Sequence, residues 1–176
     1  MYVVNLFGQP GAGKSTGAAY IFSKLKMAGL NVELVTEFAK DKTWEENQTA
    51  LKNQAYMFGK QYYRISRCED KVFMIITDSP LPLSIVYNQD KNLGFHFNQM
   101  VLNVFNSYKN LNYMIKKVKP YNPKGRNQTE AEASKLYGDI VNMLLSNNIP
   151  YKEYTGELES YDAIVEDIIK RIEKDK

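Results

Sequence analysis

Cysteine, histidine and arginine are scarce in this chain of 176 residues, and each scarcity narrows what the protein can be. The single cysteine, Cys68, excludes an intrachain disulfide framework and suits a reducing compartment. It stands between Arg67 and Glu69 with no motif around it, which reads as a partly buried thiol rather than a nucleophile. The single histidine, His96, has no partner pattern for a metal site or a catalytic triad, and reads as structural or surface. Only four of the 23 basic side chains are arginine: Arg64, Arg67, Arg126 and Arg171. No apolar run approaches the roughly twenty residues that cross a bilayer. No basic segment followed by a signal-length apolar one opens the sequence, so the expectation is a cytoplasmic protein with no membrane partner. A formal charge of +3 is too small to diagnose nucleic-acid binding, although it does not oppose an anionic substrate.

What remains is an ordinary globular composition. Hydrophobic residues make up 44% and charged residues 24%, which excludes global disorder, and the length fits one domain spanning residues 1–176. There is no repeat and no low-complexity tract. Nineteen of the cations are lysine and 13 residues are tyrosine, biases that an AT-rich genome would produce.

The chain is organised around Gly8-Gln9-Pro10-Gly11-Ala12-Gly13-Lys14-Ser15-Thr16. The run follows the strand-like Tyr2–Phe7 and opens a helix-like segment, which is the context the G-x-x-x-x-G-K-S pattern requires. Its glycines let successive backbone amides point into one concavity above a helix N-terminus, an arrangement that favours a phosphate chain. Lys14 is expected to reach the outer phosphates and Ser15 to hold a magnesium ion, making ATP and Mg²⁺ the implied ligands of Gly8, Gly11, Ala12, Gly13, Lys14, Ser15 and Thr16.

Strands and helices alternate through the rest. The spacing predicts a helix from Lys14 to about Ala28, a strand over Asn31 to Thr36, and a capping box at Thr43 to Glu46 opening a long helix that carries Gln54, Phe58, Gln61 and Ile65. The apolar run Val72 to Thr77 is the best central strand, and residues 81–95 read as loop or short helix. A helix through Phe97 to Tyr108, a strand over Asn112 to Val118, a helix opened by a capping box at Thr129 to Glu132, a strand at Tyr151 to Thr155 and a terminal helix complete the chain. Five strands with helical crossovers predict an α/β fold, a doubly wound five-stranded parallel sheet whose ligands sit beyond the carboxyl ends of the strands.

If the third strand lies beside the first, that rule brings Glu37 and Asp78 to the same crevice. The first strand ends in the phosphate loop, the second in Glu37 and the third in Asp78. Asp78 suits the magnesium sphere, although Ser79-Pro80 beside it also fits a turn aspartate. Glu37 is placed to accept the proton of an attacking hydroxyl, or is the first acid of a solvated loop; Asp78 is the next carboxylate in line for that role. Lys116, Lys117, Lys119, Lys124 and Arg126 are five cations within eleven residues, and the glycine-containing arm at about 119–128 reads as a lid, with Arg126 on the transferring phosphoryl group. Trp44, Gln54, Phe58 and Gln61 are candidates to line an acceptor pocket, or the ordinary inner face of a helix. Arg64 and Arg67 are candidates to grip a phosphate, or to pair locally with Glu69 and Asp70.

These features together resemble the small P-loop kinases, and their order is similar to that of deoxynucleoside kinases. The chain also resembles compact bacteriophage kinases that act on nucleotides, polynucleotide ends or hydroxymethylated pyrimidines. The resemblance implies a glutamate base after the second strand, a base-reading glutamine on the long helix and arginines in the lid. It implies a nucleoside, nucleotide or DNA acceptor, and a homodimer is compatible with it. Departures exist: Phe38 rather than proline follows Glu37, Ser79 rather than arginine follows Asp78, and lysines outnumber arginine in the lid. Poverty in arginine favours a hydroxyl acceptor over the phosphate acceptor of a deoxynucleoside monophosphate kinase. A P-loop ATPase that moves or regulates a partner is the other class in view.

Overall fold

Strand β1 (Tyr2–Phe7) is buried along its whole length, and its side chains alternate between two apolar layers. Tyr2, Val4 and Leu6 join one cluster, while Val3 and Phe7 join the clusters on the opposite face. A strand covered on both sides is the central member of a parallel sheet. The computed structural model describes residues 1–118 and 129–175, and it places β1 between β3 (Met74–Thr77) and β4 (Lys109–Lys116). Strands β2 (Val32–Val35) and β5 (Lys152–Thr155) form the edges, giving the order β2-β3-β1-β4-β5 with every pairing parallel. This is the expected doubly wound five-stranded sheet.

Helices cover both faces. Against one lie α1 (Lys14–Met27) and the terminal helix, whose Ile21, Leu25, Ile164 and Ile168 pack on Val4 and Leu6. The connection from β2 to β3 is built from α2 (Phe38–Trp44), α3 (Gln48–Lys52) and α4 (Gln54–Ser66). Next come α5 (Leu83–Tyr87), α6 (Gly94–Asn106), α7 (Glu130–Ser146) and the terminal α8 (Leu158–Lys174). Phe58 and Ile65 of α4 meet Phe97 and Val101 of α6 over Val3 and Ile75, and Ile140 and Leu144 of α7 pack on Phe7 and Met114. In the middle of this sheet Asn5 donates its amide to Asn110 Oδ1 at 2.9 Å and Asn112 Oδ1 at 3.0 Å, so its buried polar group is paired.

One expected boundary is corrected. Thr43 does not cap a helix; it lies at the end of α2, and its hydroxyl donates to the Ala39 carbonyl at 3.0 Å. The caps belong to asparagines. Asn47 Oδ1 accepts the Ala50 N–H and Asn53 Oδ1 accepts the Tyr56 N–H, each at 3.0 Å, so the expected long helix is broken at Asn53 into α3 and α4. The second capping box is present: Thr129 Oγ1 accepts the Glu132 N–H at 3.3 Å, and Glu132 Oε2 accepts the Thr129 N–H at 2.7 Å. The predicted lid with Lys119, Lys124 and Arg126 lies outside the described residues. No helix among the described residues is long and apolar enough to cross a membrane.

Candidate active site

The order β2-β3-β1 sets three strand ends side by side, and one cavity of about 550 Å³ opens beyond them. The phosphate loop supplies one end of it through Gly11, Gly13, Lys14, Ser15 and Thr16. Gly13 sits at φ 99°, in the left-handed region, and is the residue from which α1 departs. A side chain there is strained by backbone conformation and also meets the Tyr161 hydroxyl at 2.5 Å. The Lys14 ammonium donates to the carbonyls of Gly8 at 2.8 Å and Gln9 at 3.1 Å, so the lysine is folded over its own loop.

Glu37 follows β2 and lines the same cavity. It is half-buried, and burial of its carboxyl group pushes its titration above the ordinary glutamate value; nearby Lys14 pulls it down, Asp78 pushes it up, and Lys40 and Asp41 act in opposite senses. Asp78, at the end of β3, is buried just behind the wall, and its Oδ1 accepts the Glu37 N–H at 3.0 Å. Ser79 and Pro80 carry the wall onward. The two strand-end carboxylates are therefore brought together as the strand order requires.

The far half of the cavity is formed by α2, α3, α4 and α5. Trp44 stands exposed at its rim, and Gln54 and Gln61 line it. Gln54 donates Nε2 to the Leu51 carbonyl at 3.0 Å, and its Oε1 accepts no hydrogen bond from a described residue. Gln61 uses both ends of its amide on the backbone around Glu37. Three candidates do not reach the cavity. Phe58 is core, stacked on Tyr62 with Phe97 edge-on. Arg64 donates to the carbonyl and hydroxyl of Thr36, pairs with Asp41 and covers the Phe38 ring; Arg67 is exposed beyond it. Gly8 and Ala12 are buried in the loop rather than on the cavity wall, and Arg126 lies outside the described residues.

Residues the sequence did not single out also line the wall: Lys40, Gln48, Lys52, Ser84 and Tyr87. Burial, then the charge of Glu37, holds the Tyr87 hydroxyl well above its ordinary titration range, so it stays a neutral donor. The only sequence trace of Ser84 and Tyr87 is their spacing of three, one helical face directly after the Asp78 strand end.

Among the described residues no three histidine, cysteine or acidic side chains converge as a metal cluster. The two residues expected to hold a metal, Ser15 and Asp78, offer oxygen donors only, a hydroxyl and a carboxylate. That set fits a hard cation such as magnesium that takes its remaining ligands from phosphate and water.

No protein-family model matches the sequence, and no curated protein matches it. Solved structures do. NadR protein in complex with NR is similar over 94% of this chain, with a TM-score of 0.68 and 16% identity; the chain spans about half (51%) of that protein. Deoxyadenosine kinase from M. mycoides with bound dATP matches over 97% of this chain and 99% of its own, with a TM-score of 0.56 and 20% identity. The chain has the fold of the small P-loop kinases. Shikimate kinase from Aquifex aeolicus shares it too, over 98% of this chain and 97% of its own, with a TM-score of 0.55 and 16% identity. At such identities the likeness is one of fold, and the chemistry has to be argued from the site.

Proposed function

We propose that the protein is an ATP-dependent phosphotransferase that moves a phosphoryl group to a hydroxyl of a nucleoside-like acceptor, free or within DNA, hydroxymethylated pyrimidines included. The observation that carries this reading is the convergence of the Gly8–Thr16 loop and Glu37 on one cavity whose far half, among the described residues, carries amides, aromatics, Lys40 and Lys52 but no arginine. Deoxyadenosine kinase, among the similar folds, lends a nucleoside precedent.

In this reading the loop amides and Lys14 hold the phosphates of ATP. Glu37 removes the proton of the acceptor hydroxyl, whose oxygen bonds to the γ-phosphorus as the bond to the β-phosphate bridge breaks and ADP leaves. Lys14 exchanges its carbonyl partners for the phosphate oxygens, and Arg126 is assigned to the same moving charge. Ser15 and Asp78 would hold magnesium, which neutralises phosphate charge when bound. Gln54 presents a carbonyl oxygen to the acceptor and Trp44 an aromatic face, while Tyr87 offers a hydroxyl donor. The engagement of Arg64 with Thr36 and Asp41 weighs against the monophosphate-kinase alternative, which draws on Arg64, Arg67 and lysines for the acceptor phosphate.

Labelled ATP with magnesium, incubated with a panel of nucleosides, nucleotides and DNA bearing hydroxymethylated pyrimidines, tests the reading. The expected product carries label as a phosphomonoester on a former hydroxyl. Label on a pre-existing phosphate would overturn the hydroxyl assignment, and inorganic phosphate alone, indifferent to every acceptor, would support an ATPase module. Glu37→Gln is expected to cut turnover by ~10² to 10⁴ with ATP affinity nearly intact; unchanged turnover would move the base role to Asp78.

A further inference from the structure

Glu37 occupies the N-cap of α2, with φ −62° and ψ 122°, yet its side chain makes no cap hydrogen bond. An N-cap side chain ordinarily turns back to accept an N–H of the first helical turn. Here other elements serve the backbone around it. Gln61, from α4, accepts the Phe38 N–H on Oε1 at 2.9 Å and donates Nε2 to the Thr36 carbonyl at a long 3.4 Å. Asp78 accepts the Glu37 N–H at 3.0 Å, and Arg64 donates to the Thr36 carbonyl at 3.2 Å and to its hydroxyl at 3.3 Å. The peptide groups on both sides of the Glu37 Cα are thus held by side chains, and only the glutamate's own rotamers stay free. The Gln61 amide cannot be reversed, because that would set N–H against N–H and oxygen against oxygen. Gln61 is 5% exposed and Phe38 is buried, so losing the amide leaves the Phe38 N–H without its partner.

We propose that Gln61 is a positioning residue for Glu37: it caps α2 from outside and so leaves the Glu37 carboxylate free for the cavity. The inference rests on Glu37 being the base, and it replaces acceptor reading as the role of Gln61. The groups facing that carboxylate are Lys14 from the phosphate loop, Lys40 and Asp41 from α2, Asp78 from the end of β3 and Tyr87 from α5.

The test is a carboxyl-carbon NMR titration of the full chain labelled at glutamate, with the Glu37 signal assigned by its loss in Glu37→Gln. Gln61→Met keeps length and burial but makes no hydrogen bond. In it the Glu37 midpoint is expected to fall towards the ordinary glutamate value as water reaches the loosened segment. An unmoved Glu37 midpoint in folded Gln61→Met would overturn the proposal. Should that variant fail to fold, Gln61→Asn, one methylene too short for the Phe38 N–H, is read in the same way. The two readings fail separately. Full turnover in Glu37→Gln removes the base without touching the titration, whereas an unmoved titration removes the positioner and leaves the base standing.

Discussion

The hydroxyl of Tyr161 donates to the carbonyl of Gly13 at 2.9 Å, so the terminal helix holds the phosphate loop from below. The ring lies against Gly17 as well, where a Cβ would meet its Cε1 at 2.5 Å. Loop geometry is therefore maintained from the far end of the chain. Tyr161→Phe keeps the packing and removes the bond; it is expected to cost about 1 kcal/mol of stability and to weaken ATP binding several-fold. Thermal melts and ATP titration check both, and unaltered ATP affinity would show that the loop holds its shape without this tie.

Gly156 presses harder on the same loop. A Cβ there would stand 2.1 Å from the Ala12 carbonyl oxygen, a backbone atom that cannot swing aside. Gly156→Ala is expected to destabilise the fold by roughly 1–3 kcal/mol and to weaken ATP more than Tyr161→Phe does. Wild-type affinity in this variant would mean that the turn after β5 yields and the loop does not.

The contrast between these glycines and the helix boundaries shows what was legible in the sequence. The strands could be read because β1 alternates between two buried layers and the run ending at Thr77 is uniformly apolar, both local patterns. The convergence of Glu37 and Asp78 followed from the rule about strand ends once β3 lay beside β1. Helix α2 was not legible because its first N–H is satisfied by Gln61, 23 residues further on, leaving no capping signature where one would be sought. Thr43 and Glu46 imitated one instead, and Glu46 in fact adopts a positive φ of 53° beyond the helix end. The partners of Gln61 and Arg64 were not legible either, because a sequence shows a polar residue on an apolar face but not the backbone group it reaches. Tyr87 left only its spacing from Ser84, because α5 is five residues long and too short for a period.

The titration of Glu37 has two consequences of opposite sense. Its folded value is raised, chiefly by burial, so the folded chain holds this proton more tightly than the unfolded chain. Stability from this group is present at low pH and is lost as pH rises from the ordinary glutamate range through the folded value. In the proposed mechanism activity runs the other way, because a base must be ionised: turnover is expected to rise over that same interval. Lys14 lowers the Glu37 titration, so Lys14→Ala should move the Glu37 midpoint upward, besides weakening ATP. Glu37→Gln should remove both slopes. A pH series of denaturant melts and of turnover checks this, and a turnover limb that survives Glu37→Gln would belong to another group.

Asp78 has one task the structure shows and one we propose for it, and two substitutions part them. One oxygen accepts the Glu37 N–H at 3.0 Å; the other accepts no bond from a described residue and is the one assigned to the metal. In Asp78→Asn the amide oxygen can still accept the Glu37 N–H, while the charge a hard cation requires is gone. Asp78→Ala loses both, and leaves that N–H without its partner beside the cavity. The alanine variant is therefore expected to be less stable than the asparagine variant by about 1–2 kcal/mol, with both needing several-fold more magnesium for half-maximal turnover. Melting curves and magnesium titrations at saturating ATP separate the tasks. Equal magnesium demand in wild type and Asp78→Asn would remove Asp78 from the metal sphere and leave it as the strand-end clasp for Glu37.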